Sequence, residues 1–347
     1  MKKIISSLLL LALVLTISLS GCAEQKEIKA KIVDQAGREV EIGEVERVVS
    51  LWPEATRVLL ALGVEDKIVG LDTDSKRDPV LVRAFPEKLE KIPDVGSSVR
   101  GTLSLEKLME LKPDVVFVRT EDVELANKIQ NDFGIPVVCV RVSPPPDHEF
   151  SLDIISIIGK VVGKEERAEE LVSYLEGKIK TVTDVTTKIP DAEKPRVYES
   201  RADSVLIAHA WAGSPVKYAG GINVVNEAMP EAKAPWVTVS MEDALKWNPD
   251  VIILHAFGSA NPEDLMNDPK WQPVKAVKEG KVYKLLIGWV GWYPECFVIN
   301  IMAYAKVLHP DKFDYDVEKE ANEILKFFYG VDGLYTKLKE DFNLSEV

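Results

Sequence analysis

At 347 residues the chain exceeds one typical domain, and its 46% hydrophobic content is enough to core two units. Its 56 acidic against 43 basic residues give a net charge of −13, or −15 once Lys2 and Lys3 leave with the leader, which argues against nucleic acid or any other polyanionic partner. Three cysteines and four scattered histidines fall in no zinc or iron–sulfur spacing.

Met1-Lys-Lys3 opens the chain, followed by an uncharged apolar tract from Ile4 to Leu19 and then Leu19-Ser-Gly-Cys22. A basic start, an apolar middle and small residues before the cut describe a secretory signal over residues 1–21. Leu-Ser-Gly-Cys matches the lipobox of exported lipoproteins, so Cys22 is expected to be lipidated and to become the new N-terminus. Residues 22–28 then form a polar tether. The mature chain is expected outside the cytoplasm, anchored to the cell membrane by Cys22. No later stretch is apolar enough for a membrane-spanning helix.

Lys29 to Ile42 alternates apolar and polar residues around Asp34-Gln-Ala-Gly-Arg38, the pattern of a hairpin. Arg47–Leu51 reads as a buried strand, Glu54–Leu62 as a helix stopped by Gly63, and Asp66–Gly70 as a second strand. Ser104 opens a helix–turn–strand unit that runs to Val118. Val123–Asp132 is a helix ended by Gly134, and Ile135–Val140 a further strand. Apolar strands alternating with helices predict a parallel sheet covered on both faces. This first lobe is placed at residues 29–150.

The unit Ser104-Leu-Glu-Lys-Leu-Met-Glu-Leu-Lys-Pro-Asp-Val-Val-Phe-Val118 recurs as Ser240-Met-Glu-Asp-Ala-Leu-Lys-Trp-Asn-Pro-Asp-Val-Ile-Ile-Leu254. In each copy a serine caps the helix, a glutamate occupies its first turn, Pro-Asp breaks it and a β-branched run makes a strand. Two copies so far apart predict two similar α/β lobes with a cleft between them. After the stiff triplet Pro144-Pro-Pro146, residues 151–189 are read as a helical connector: a helix over Ser151–Val162 and one of about 24 residues from Glu165, some 36 Å long. The second lobe, 190–347, starts with strand Arg196–Tyr198. It contains a helix from Val216, strand Lys281–Leu286, helix Cys296–Leu308 and closing helix Glu318–Tyr329. Cys139 and Cys296 fall in different lobes, against a disulfide between them. The fold class is thus α/β, two Rossmann-like lobes with parallel sheets joined by one long helix.

This order of motifs resembles the substrate-binding proteins of iron-siderophore, haem and cobalamin ABC importers. The resemblance is carried by Asp34-Gln-Ala-Gly-Arg-Glu-Val40 before Arg47-Val-Val-Ser50, by both Ser-x-Glu-x-x-x-x-x-x-Pro-Asp-Val units, and by His309-Pro-Asp-Lys-Phe313 with Phe328-Tyr-Gly330. It implies ligand capture between two lobes bridged by a rigid helix, and a role for Glu106 and Glu242 in docking to arginines on a membrane permease that works with an ATPase. It also implies a metal held through its chelator.

In parallel α/β sheets ligands bind beyond the carboxyl ends of the strands. The residues there are Trp52, Arg119, Arg141, Arg201, His255, and Trp289, Trp292 and Tyr293 in one loop, with Trp211 and Trp236 in further loops. Arginines suit anionic groups of a chelate and tryptophans offer flat walls. Each also has a plainer use, in surface ion pairs or lobe packing. His255 alone is a weak candidate for ligating metal directly. The expected ligand is a ferric siderophore, with cobalamin next and haem or an oxyanion such as molybdate after. No cofactor is expected, the protein is expected to act as a monomer, and a catalytic constellation is missing: there is no Gly-x-Ser-x-Gly, no reactive-cysteine context and no phosphate-cradling loop. A surface sensor module is the rival of another class.

Overall fold

A computed structural model describes residues 28–145, 148–201, 204–211, 213–286 and 292–347. The leader, Cys22, the tether up to residue 27 and Trp289 lie outside the described residues. Among those described, no helix is long and apolar enough to cross a membrane.

Strands β1 (Ala30–Val33) and β2 (Glu39–Ile42) form the antiparallel hairpin that their alternation predicts. Gly37 takes the left-handed φ of +77° in its turn. Asp34 fixes the turn by accepting from the Ala36 and Arg38 amides at 3.0 and 2.9 Å. It also accepts the Cys139 amide at 3.0 Å, which ties the hairpin to the first sheet. That sheet holds β3 (Val48–Ser50), β4 (Ile68–Leu71), β5 (Val115–Arg119) and β6 (Val137–Val140), all parallel, in the order β4-β3-β5-β6.

The second sheet runs β10-β8-β7-β11-β12, with β9 (Ile222–Asn223) also on β7. Here β7 (Arg196–Ser200), β9, β11 (Val251–His255) and β12 (Val282–Leu285) are parallel. The three-residue strands β8 (Ile207–His209) and β10 (Trp236–Thr238) add an antiparallel edge that sequence periodicity did not reveal. Three residues are too few to display a period of two.

Both copies of the repeated unit fold alike. Ser104 caps α2 (Leu105–Glu110) and Ser240 caps α6 (Met241–Trp247), each accepting the amide three residues on, at 3.2 and 3.0 Å. The residue before each proline, Lys112 or Asn248, is left-handed, with φ of 47° and 42°. The following aspartates do the same work. Asp114 accepts the Arg47 amide at 2.9 Å and Asp250 the Arg196 amide at 2.8 Å, so each pins the start of the strand beside its own.

Alternation along the strands sorts three cores. Val48, Val115, Phe117, Val138, Val251 and Ile253 face an inner core that is continuous across both sheets, while their neighbours Val49, Val116 and Val137, or Ile252 and Leu254, face an outer core belonging to one sheet alone. Helices fill the inner core: α1 (Pro53–Ala61), α4 (Asp153–Val162), α5 (Glu165–Thr186) and α7 (Pro294–Leu308). In the outer layer of the first sheet lies α3 (Val123–Phe133), and α8 (Val317–Tyr329) and α9 (Leu334–Phe342) close the chain. At 22 residues, α5 spans about 33 Å. Its Arg167 donates to the carbonyls of Ala61 and Phe327, and Thr186 at its other end to that of Tyr218. Cys139 sits in the outer core of the first sheet and Cys296 in the inner core, and both are free.

Within the inner core, Arg57 of α1 is 1% exposed. It donates from Nε and Nη2 to Asp78 at 3.0 and 2.8 Å and from Nη1 to Glu295 of α7 at 2.6 Å, with the Tyr293 ring 3.5 Å beneath its guanidinium carbon. Arg57→Met leaves two buried carboxylates without their cation. The variant is expected to lose about 3–5 kcal/mol of unfolding free energy in urea melts, and a loss near zero would contradict this account.

Candidate ligand cleft

The parallel order of the first sheet brings the ends of β3, β5 and β6 side by side. Arg119 ends β5, Arg141 follows β6, and Trp52 stands in extended conformation at the N-cap of α1. The Arg119 and Arg141 guanidinium carbons lie 5.9 and 5.7 Å from the Trp52 ring centre. Arg119 donates to Asp122 at 3.0 Å, but its buried Nε has no partner among the described residues. Arg141 pairs with Glu121 at the rim. Burial lowers the proton affinity of Arg141, Glu54 opposes that, and Arg119 adds to it.

Arg141 also lies 5.9 Å from the ring of Trp211, on which His148 stacks at 3.7 Å and 13°. One guanidinium therefore faces an indole from each half of the chain. Around it opens a cleft of about 500 Å³ lined by Trp52, Arg119, Arg141, His148, Trp211 and Lys233, among others. Below its floor, Glu54 is 1% exposed and accepts the Val142 amide at 2.6 Å. Burial pushes its carboxyl up to about 7, against the pull of Arg141 and that amide.

A second cluster gathers at the ends of β7, β8, β10 and β11. His209 is opposite Trp236 in the antiparallel register, and its ring contacts those of Trp236 and Trp292 at 5.1 and 5.4 Å. Trp236 in turn meets His255 at 6.1 Å. Nδ1 of His209 is 3.7 Å from the Glu199 carboxylate, to which Tyr304 donates at 2.9 Å. Burial drives both groups to their neutral forms: Glu199 rises to about 7, and His209 falls to about 3, with His255 adding to the fall.

Of the residues expected from sequence, Trp52, Arg119, Arg141 and Trp211 thus share the cleft wall. Trp236, His255 and Trp292 form the second cluster, where no group of three or more His, Cys, Asp or Glu able to hold a metal occurs among the described residues. Arg201 is half-buried after β7, its amide closing the turn onto the Ile207 carbonyl at 2.9 Å. Tyr293 is fully buried beneath Arg57, away from the cleft wall. Glu106 and Glu242 are both exposed in the first turns of α2 and α6. Sequence reasoning missed His148, Lys233, Glu54 and His209. Glu54 left one signal, a carboxylate between Trp52-Pro53 and an apolar helix.

A family profile described as "Periplasmic binding protein" matches residues 48–286, more than half of the chain. The chain belongs to that family. It is 27% identical to the molybdate-binding protein MolA of Haemophilus influenzae, over 94% of this chain and 96% of that one. The solved structure of MolA bound to molybdate superposes with a TM-score of 0.73 at 26% identity, covering 88% and 99% of the two chains. Two Bacillus subtilis proteins are similar as well. An ABC transporter substrate-binding lipoprotein, YvrC, is 27% identical over 87% of this chain and 96% of its own. The Fe(3+)-citrate-binding protein YfmC is 26% identical over 76% and 80%.

A carboxyl whose proton affinity is raised by folding stabilises the fold fully below its unfolded value and loses that contribution as pH rises through the folded one. For Glu199 the window runs from its ordinary 4.5 to about 7. His209 acts in the opposite sense below its ordinary 6.5, so the difference between wild type and Glu199→Gln isolates the carboxyl. From pH 5 to pH 8 the wild type is expected to lose on the order of 2–3 kcal/mol more than the variant in urea melts. Parallel curves would contradict a neutral Glu199.

Proposed function

We propose that this substrate-binding component of an ABC importer captures an anionic metal chelate, foremost a ferric siderophore or a similar ferric complex. The observation that carries the reading is the pair Arg119 and Arg141 flanking the Trp52 indole in a cleft of about 500 Å³. Two guanidiniums supply bidentate donors for carboxylate or catecholate oxygens, and the unpartnered Nε of Arg119 is one such donor left over. Trp52, 3% exposed, backs the two guanidiniums, while half-buried Trp211 gives an organic complex an apolar surface that a bare inorganic ion would not use. The volume lies within the usual range for small-molecule sites, roughly 300–1,000 Å³.

A second reading, an oxyanion such as molybdate, is favoured by the similarity to MolA over nearly the whole chain. The same arginines serve it, without the indoles.

Delivery follows from the repeated units. A helix that feeds a parallel strand runs opposite to it, so helix starts share an edge of the sheet with strand ends, where ligands bind. Glu106 and Glu242 therefore belong on the cleft side of their sheets, exposed and with no hydrogen-bonding or ionic partner among the described residues. In this reading each docks into arginines of the permease and lipidated Cys22 keeps the protein at the membrane.

Tryptophan fluorescence tests the ligand. Quenching is expected with ferric siderophores or ferric citrate, and Arg141→Met is expected to weaken it about tenfold or more. Quenching by molybdate alone selects the second reading, and by a corrinoid alone overturns both. For docking, Glu106→Lys with Glu242→Lys is expected to cut cellular uptake severalfold and leave the dissociation constant unchanged. Unaltered uptake would remove the docking role.

A further inference from the structure

We infer that Glu54 sets how tightly the cleft holds an anion, by taking up a proton as the ligand engages Arg141. The inference rests on the anionic-ligand reading above. Its basis is where the two carboxylates of this corner lie. Arg141 pairs with Glu121, whose side chain is 36% exposed at the rim, and the next residue, Val142, donates its amide to enclosed Glu54. An arriving anion can displace Glu121 into water. It cannot displace Glu54, which is held by the Val142 amide at 2.6 Å under the Trp52 and Arg141 wall.

Once the ligand is in place, an ionised Glu54 would face a second negative charge across one guanidinium, in a site poor in water. A second negative charge nearby raises the proton affinity of a carboxyl, so ligand binding favours the neutral form of Glu54. Burial has already brought this carboxyl to about 7, so the proton is taken from the physiological range.

Other titratable groups surround Glu54, and Asp72, also pushed up to about 7 by burial, is the nearest in kind. On its own helix, Arg57 is committed to Asp78 and Glu295. Beside α1, Asp72 accepts the Asp74 and Ser75 amides, and Asp74 is paired with Arg100 and Ser97. The buried face of α4 is apolar, and buried Tyr329 of α8 donates to Glu295. From the end of β5 come Arg119 and its partner Asp122, and Lys233 and His148 face the cleft from the other half.

Calorimetric titration of the mature chain with ferric citrate and with molybdate, at pH 6 to 8 in two buffers of contrasting ionisation enthalpy, tests this. Close to one proton is expected to be taken up near pH 8, with affinity rising by up to about tenfold per pH unit as pH falls toward 7. Glu54→Gln is expected to flatten the profile at the affinity that the wild type reaches at pH 6. A flat wild-type profile, proton release, or a slope that survives in Glu54→Gln would overturn the inference and leave ligand capture intact. Should the variant fail to fold, His148→Asn decides: the proton taken up near pH 8 is expected to persist in it, and its loss there would overturn the inference. Absence of binding by either probe, in every buffer, would overturn the anionic-ligand reading itself.

Discussion

The architecture turns on one enclosed cation. Arg57 binds a carboxylate from its own half of the chain and another 238 residues further on, with an aromatic ring beneath it. A buried ion cluster of this kind adds little net stability compared with well-packed apolar side chains, because desolvation opposes the Coulomb gain. Its effect is on geometry. Two carboxylates and a planar fork admit few arrangements, so α1 and the start of α7 must meet in one register.

That register matters because α1 begins at the cleft wall and α7 beside the second aromatic cluster. Glu54 sits one turn and Trp52 five residues before Arg57, and Trp292 stands three residues before Glu295. The cluster therefore sets the spacing of residues that come from sequence segments more than two hundred residues apart. The continuous inner core extends the same constraint, since both sheets send alternate side chains into it. Each outer core is local, and its loss would damage one sheet only.

Much of this was legible in the residues. The repeated Ser-x-Glu…Pro-Asp-Val unit was visible because capping, helix breaking and strand burial are local demands, met by local sequence. The sequence could not display what its aspartates do, because their partners, the Arg47 and Arg196 amides, are remote. The strand-end rule placed Trp52, Arg119 and Arg141 together, since it depends only on strand order. It misplaced Tyr293, where the outcome depends on which way one loop residue turns, and there the Arg57 cluster takes the ring inward. Glu54 and His209 were overlooked for a related reason: a charge surrounded by apolar sequence gives no sign of whether water reaches it.

The two aspartate latches hold the sheets from the edge at which the strands begin. At the opposite edge, where loops emerge toward the cleft, the described ties hold loop amides, as Glu54 does that of Val142 and Gln35 that of Arg141. Outside those ties, side chains on the cleft edge can change without disturbing the strand starts that the two latches hold. One scaffold can therefore carry different chemistry, as relatives with differently named cargoes at about a quarter identity illustrate.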